Sequence, residues 1–245
     1  MIYDCFTYNG ERELLEIRCE ELSGLDVTHI LVESTWTFSG KRKELKYVDP
    51  LPYRIKNYVF EDMPNNGNPW DNEKAQRDYI MNALIELGAK DDDLIIVCDV
   101  DEVIRKETLQ NFVPTEGLSS FCMDSYSYYL NCLVGKQNWS RANAAPFKFI
   151  KIRTIDEVRN NENARQLPDA GWHFSYVNSL DFIKEKIESF SHTELNTEEF
   201  KSKLEYKYNN CQSLFGDDFW TVVDIDESFP KYLRNNIEKY KHLIK

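Results

Sequence analysis

Leu94-Ile95-Ile96-Val97-Cys98-Asp99-Val100-Asp101-Glu102 joins an unbroken apolar run to an acidic cluster. A strand with one wet face alternates apolar and polar residues. A run without alternation is covered on both faces, and such strands belong to largely parallel sheets. In those sheets ligands bind beyond the carboxyl ends of the strands. The acidic residues stand at that end of the run.

Toward the N-terminus, Gly88 ends a helix that runs back to Asp71, the expected cap, with Ala83, Leu84 and Leu87 on its inner face. The preceding Asp62-Met63-Pro64-Asn65-Asn66-Gly67-Asn68-Pro69 has the composition of a loop. Strands are expected over 1–7, 27–33 and 55–60. A helix is expected from Asn9 or Gly10 to about Ser23, with Leu15, Cys19 and Leu22 on one face. Ser34 to Lys46 is too polar and basic for a core strand. Toward the C-terminus, 118–130, 147–152 and 171–177 read as strands, and about 180–190, 198–208 and 230–243 as helices. Strand and helix alternate over the first hundred residues, which argues for an α/β fold. The chain has no internal repeat and no convincing linker, so its 245 residues are expected to form a single domain.

The composition narrows the function classes. A net charge of −12 repels phosphate backbones, so a nucleic-acid partner is not expected. No basic segment followed by an apolar one opens the chain, and no apolar run approaches the ~20 residues of a membrane helix. Six cysteines without a Cys-x-x-Cys pair read as reduced thiols. A cytoplasmic location is the expectation.

Asp99 and Asp101, one residue apart after a buried strand, can face a common point. Hard cations such as Mn²⁺ or Mg²⁺ favour such oxygen ligands. The spacing is not specific: Asp91-Asp92-Asp93 reads as a solvated turn, and Asp224-Ile225-Asp226-Glu227 as a cap or approach to the last helix. Haloacid-dehalogenase-like phosphatases also place Asp-x-Asp after an apolar strand, but follow it with small residues, where this chain has Glu102-Val103. A non-catalytic glycan-binding protein and a transferase fold that has lost turnover are further alternatives.

Several segments, in order, resemble glycosyltransferase family 17. They are Asp4-Cys5-Phe6 through Asn9, Glu11, Leu14-Leu15-Glu16 with Arg18, Val32-Glu33-Ser34, Thr37-Phe38-Ser39-Gly40, and Asp62-Met63-Pro64. Trp70-Asp71, Gln76-Arg77, Asp93-Leu94-Ile95-Ile96 and Asp99-Val100-Asp101-Glu102 follow. Tyr128-Tyr129-Leu130-Asn131-Cys132, Ala170 to Tyr176 and Glu188 to Glu194 complete the set, which ends near residue 196. The resemblance implies a GT-A-type fold, a Rossmann-like mixed sheet flanked by helices. The nucleotide half would span about 1–103 and the acceptor half about 104–196, with a helical segment over 197–245. It also implies a UDP-sugar donor, UDP-N-acetylglucosamine foremost, a glycan acceptor and an inverting reaction. The acceptor is left open between an N-glycan and a glycan assembled in the cytosol.

Residue roles follow from that likeness. Asp101 is the expected direct metal ligand, and Asp99 the ligand of the ribose or of the metal through water. Phe6 and Val100 join them in the donor-binding set. Glu33 and Ser34 are expected near the uridine ribose, and Gln76 and Arg77 near the uracil or diphosphate. His173 is the expected histidine ligand, with His192 as its competitor. The general base is sought at Asp169, with Glu188, Glu194 and Asp124 as alternatives. Trp172 and Tyr176 are either sugar-stacking or core.

Overall fold

The structure is a computed structural model that describes residues 1–115 and 117–245. Its first part runs β1 (Ile2–Thr7), α1 (Arg12–Glu21), β2 (Val27–Ser34), β3 (Ile55–Phe60), α2 (Pro69–Asp78), α3 (Ile80–Glu86) and β4 (Leu94–Asp99). The four strands lie in the order β4-β1-β2-β3, all parallel. Their side chains alternate between two cores. Phe6, Leu31 and Ile96 pack on one face with Leu15, Cys19 and Leu22 of α1. Cys5, Ile30, Ile95 and Val97 pack on the other with Ile80, Ala83 and Leu84 of α3. The apolar run of β4 is therefore covered on both faces.

The chain continues through β5 (Glu102–Ile104), α4 (Lys106–Gln110), β6 (Ser119–Ser127), β7 (Cys132–Trp139) and β8 (Asn143–Pro146). Next come α5 (Phe147–Ile150), α6 (Ile155–Arg159), β9 (Arg165–Ser175), α7 (Leu180–Ser189) and α8 (Glu198–Asn209). A short β10 (Thr221–Val222), α9 (Lys231–Asn235) and α10 (Ile237–Tyr240) close the described chain. The strands form one ten-stranded sheet in which β8 joins β4 antiparallel, so the sheet is mixed and flanked by helices. This is the α/β, Rossmann-like architecture expected.

Some boundaries differ from the sequence reading. The strand expected over 147–152 is the helical turn α5, and the strand lies just before it, at β8. Phe147 and Ile150 are buried three residues apart while Lys148 is exposed, and so short an apolar run does not separate strand from helix by period. Pro146, without an N–H, ends the strand pairing opposite Leu94. Asp71 is not the cap of its helix: Asn68 Oδ1 accepts the Trp70 N–H at 3.2 Å, with Pro69 in the first turn. That helix is also split at Tyr79. The helix expected over 230–243 is broken into α9, α10 and a 3₁₀ turn over Lys241–Leu243.

β9 pairs with β5 on one side and, in parallel, with β6 on the other. The crossing is tight at Gly171, where an added Cβ would lie 2.2 Å from the Val103 carbonyl oxygen, and φ is +156°. Gly171→Ala is expected to lower stability by about 3 kcal/mol, since neither backbone can yield without breaking the ladder. Thermal unfolding checks this; an unchanged midpoint would mean that β9 has room to move.

Candidate active site

A cavity of about 290 Å³ opens where β1, β2 and β4 end, between α2, β9 and the segment after α7. Asp99, Val100 and Asp101 line it, as do Gln76, Arg77, His173 and Tyr176. The helix α2 supplies Trp70, Glu73, Gln76 and Arg77 at helical spacing from one face. The end of α7 and the chain beyond it supply Ser189 to His192.

The two carboxylates of the acidic pair are held differently. Asp99 Oδ2 accepts from Arg159 Nη2 at 2.7 Å, and Oδ1 lies 3.6 Å from Arg77 Nη2, inside ion-pair range but beyond a hydrogen bond. Burial alone would raise the Asp99 carboxyl, but Arg159 and Arg77 override it and hold the group well below the usual carboxylate range. Asp101 instead lies between His173 and Lys186, with Oδ1 3.8 Å from His173 Nε2 and Oδ2 3.5 Å from Lys186 Nζ. Lys186 also donates to Glu11 Oε1 at 3.2 Å.

His173 reaches Asp101 because β9 pairs with β5 in a register that sets His173 against Glu102. The Phe174 N–H donates to the Asp101 carbonyl at 2.8 Å, which ties the loop to the strand. Trp139 stacks on the imidazole with ring centroids 4.1 Å apart and donates its indole N–H to Glu102. Burial lowers the affinity of His173 for a proton, more than Asp101 and Glu102 restore it, so the ring is neutral at pH 7 and keeps a free lone pair.

Arg18 holds the loop from beneath. Its guanidinium is fully buried, ion-paired with Asp4, and donates to the carbonyls of Asp99 at 3.2 Å and Glu102 at 2.5 Å. Asp4 also bonds His29 Nδ1 at 2.7 Å.

Three buried polar atoms of this wall, Arg77 Nε, Asp99 Oδ1 and His173 Nδ1, have no hydrogen-bond partner, and neither has Arg159 Nη1 behind Asp99. Buried polar groups are normally satisfied, so their concentration here suits a site that receives polar atoms from a ligand. As metal ligands the residues fit a part-open site, one carboxylate and one imidazole, with other positions left to ligand oxygens. Among the described residues no group of three His, Cys, Asp or Glu side chains is arranged around a metal position.

The sequence model of glycosyltransferase family 17 matches residues 1–214. The chain belongs to glycosyltransferase family 17. No curated protein and no solved structure matches it. As a glycosyltransferase it uses a nucleotide-sugar donor and an acceptor, and the phosphatase alternative falls away. No helix among the described residues is long and apolar enough to cross a membrane.

The cavity gathers only part of the residue set expected from the sequence. Gln76, Arg77, Asp99, Val100, Asp101, His173, His192 and Tyr176 line it. Gln76 is anchored, with its amide donating to the Val32 carbonyl at 2.9 Å. Phe6 is fully buried beneath the site, 4.6 Å from the Arg18 guanidinium, and its neighbour Thr7 lines the cavity instead. Glu33, also fully buried, accepts from Lys43 Nζ and from the backbone of Lys46 and Tyr47, so it folds the loop after β2. Ser34 accepts the Trp36 N–H at 3.0 Å in a local turn.

Neither expected base is brought to the cavity. Asp169 is exposed and pairs with Arg105 at 3.0 Å. Glu188 pairs with Lys201 at 3.1 Å outside the cavity. Asp124 accepts the Gln137 N–H, and Glu194 pairs with His192. Trp172 is core, with its indole N–H donating to the Ser228 carbonyl.

Arg159, Lys186 and Glu73 carry no role in the sequence reading. Arg18 and Asp4 enter there only through the resemblance, although a charge on an otherwise apolar face is the signal of a buried pair. Arg159 and Lys186 sit among charged neighbours and give no such signal.

Proposed function

We propose that this transferase moves N-acetylglucosamine from UDP-N-acetylglucosamine to a glycan hydroxyl, with inversion and with a divalent cation, Mn²⁺ or Mg²⁺. The observation that carries the reading is the adjacency of Asp101 and neutral His173 in a cavity short of positive charge. Four carboxylates line it, Glu11, Glu73, Asp99 and Asp101, against three cations, Lys43, Arg77 and Lys186. All three cations already have carboxylate partners. A diphosphate entering such a site needs added positive charge.

In this reading Asp101 and His173 would hold the cation, which would supply positive charge against that developing on the departing diphosphate. Asp99 stays with Arg77 and Arg159 and fixes the wall. Residues up to about 103 carry the nucleotide, with Gln76 and Arg77 toward the uracil or diphosphate, and the segment 104–196 meets the acceptor. The base must touch the acceptor hydroxyl, so it is sought among the lining carboxylates Glu11 and Glu73 rather than at Asp169 or Glu188.

The test is UDP release from UDP-N-acetylglucosamine, UDP-N-acetylgalactosamine, UDP-glucose and UDP-galactose, each with Mn²⁺, Mg²⁺ or chelator. Slow hydrolysis of UDP-N-acetylglucosamine in metal, lost in chelator, is the expected result. Equal rates in chelator would remove the metal, and preference for another donor would replace the sugar. No UDP binding under any metal would remove the UDP-sugar reading.

A further inference from the structure

Lys186 is placed unlike the other cations of the cavity. Arg77 is tied to Glu73 and Asp156 at 2.7 and 2.9 Å, and Lys43 to the fully buried Glu33 at 2.8 Å. Those two shape the wall. Lys186 reaches from α7, whose Ile183 and Ile187 are sunk in the core, and both its partners, Glu11 and Asp101, line the cavity. Its ammonium also lies 5.4 Å from the centroid of the Tyr176 ring.

We propose that Lys186 is a diphosphate-binding residue that shares Asp101 with the metal: it neutralises Asp101 in the empty site and turns to the donor's phosphates once a divalent cation takes that carboxylate. The proposal rests on the nucleotide-sugar reading above. The physical case is the charge balance. A divalent cation brought to Asp101 repels the ammonium 3.5 Å from that carboxylate. The incoming diphosphate and Asp101 together carry more negative charge than the cation offsets, so the diphosphate supplies a new partner for the ammonium on its flexible four-carbon stem. In the transfer, the bond between the anomeric carbon and the phosphate oxygen breaks with its electron pair left on the diphosphate. The acceptor oxygen forms the new bond and its proton passes to the base. Lys186 meets the charge left on the diphosphate, and needs to give up no proton to do so.

The sign pattern is specific. In Lys186→Met, UDP affinity measured by calorimetry in saturating Mn²⁺ should fall about 10- to 100-fold, the loss of one charge-assisted contact. Mn²⁺ affinity measured without nucleotide should rise by a factor of about 3 to 10, because Asp101 loses its resident cation. Lys186→Arg, which keeps the charge, should bind UDP within about threefold of the parent chain. A purely structural lysine would weaken both ligands together or neither, and either result overturns the proposal. Parent chain that binds no UDP in Mn²⁺ would overturn the donor reading itself and this inference with it.

Discussion

Asp101→Asn is expected to reduce metal-dependent UDP release by at least about 10³-fold, or about 4 kcal/mol of transition-state stabilisation. The substitution is isosteric and leaves Lys186 its bond to Glu11, so the fold should survive. UDP affinity in Mn²⁺ should drop to the value that the parent chain shows in chelator. Asp99→Asn makes the contrast. That carboxylate sits between Arg77 and Arg159, both buried, and its removal leaves two cations short of a partner. Its first effect should be a lower melting temperature. The pair thus separates by assay: position 101 in ligand binding, position 99 in unfolding. Unchanged, metal-stimulated UDP release in Asp101→Asn would take the centre of the reaction elsewhere.

Arg18→Met should be the most damaging change outside the cavity. It strands the fully buried Asp4 carboxylate with only His29 and the Cys98 thiol beside it, and breaking a buried pair from one side costs about 3–5 kcal/mol. For a chain of this size the melting temperature should fall on the order of 10 °C. Burial would raise the Asp4 carboxyl, but Arg18 and the bonds from His29 and Arg18 hold it well below its ordinary value. A depressed carboxyl stabilises the fold in full above its unfolded pKa of about 3.9 and loses that contribution only as the pH falls toward the folded value. The deficit of Arg18→Met should therefore be large at pH 7 and shrink in acid. Asp4→Asn combined with Arg18→Met should recover part of the loss, because no charge is left alone. Circular dichroism melts of the parent chain and the two variants check this. A double variant no better than Arg18→Met would mean that the guanidinium matters through the Asp99 and Glu102 carbonyls and not through Asp4.

Much of this was legible before any coordinates. The run from Leu94 to Cys98 announces a strand covered on both faces, and the acidic residues after it announce a site at its carboxyl end. The helices α1 and α7 follow from apolar spacing, with Phe182, Ile183, Ile187 and Phe190 marking the latter. What escaped was set by partners distant in sequence. β5 has three residues and β10 two, too few for any period to register. β8 is Asn143-Ala144-Ala145-Pro146, whose small side chains fit against β4 but carry no strand preference of their own. Glu33 looked like a ligand because it ends a strand beside the site. Three hydrogen bonds from the next loop consume it. Asp169 looked like a base because it precedes His173, but β9 is irregular there, with φ +49° at Asp169, and the carboxylate pairs with Arg105 at the surface.

The backbone bond from Phe174 to Asp101 has a consequence for how this catalyst ages. The acidic loop and the histidine come from distant parts of the chain, yet they are stitched by the same ladder that holds β5 to β9. Such a centre has no independent fraying: it shares the cooperativity of the sheet. The segment after α7 has no such ladder and is held by side chains, Ser191 on Glu73 and His192 against Trp70, so it can change without loosening the pairing of Asp101 with His173.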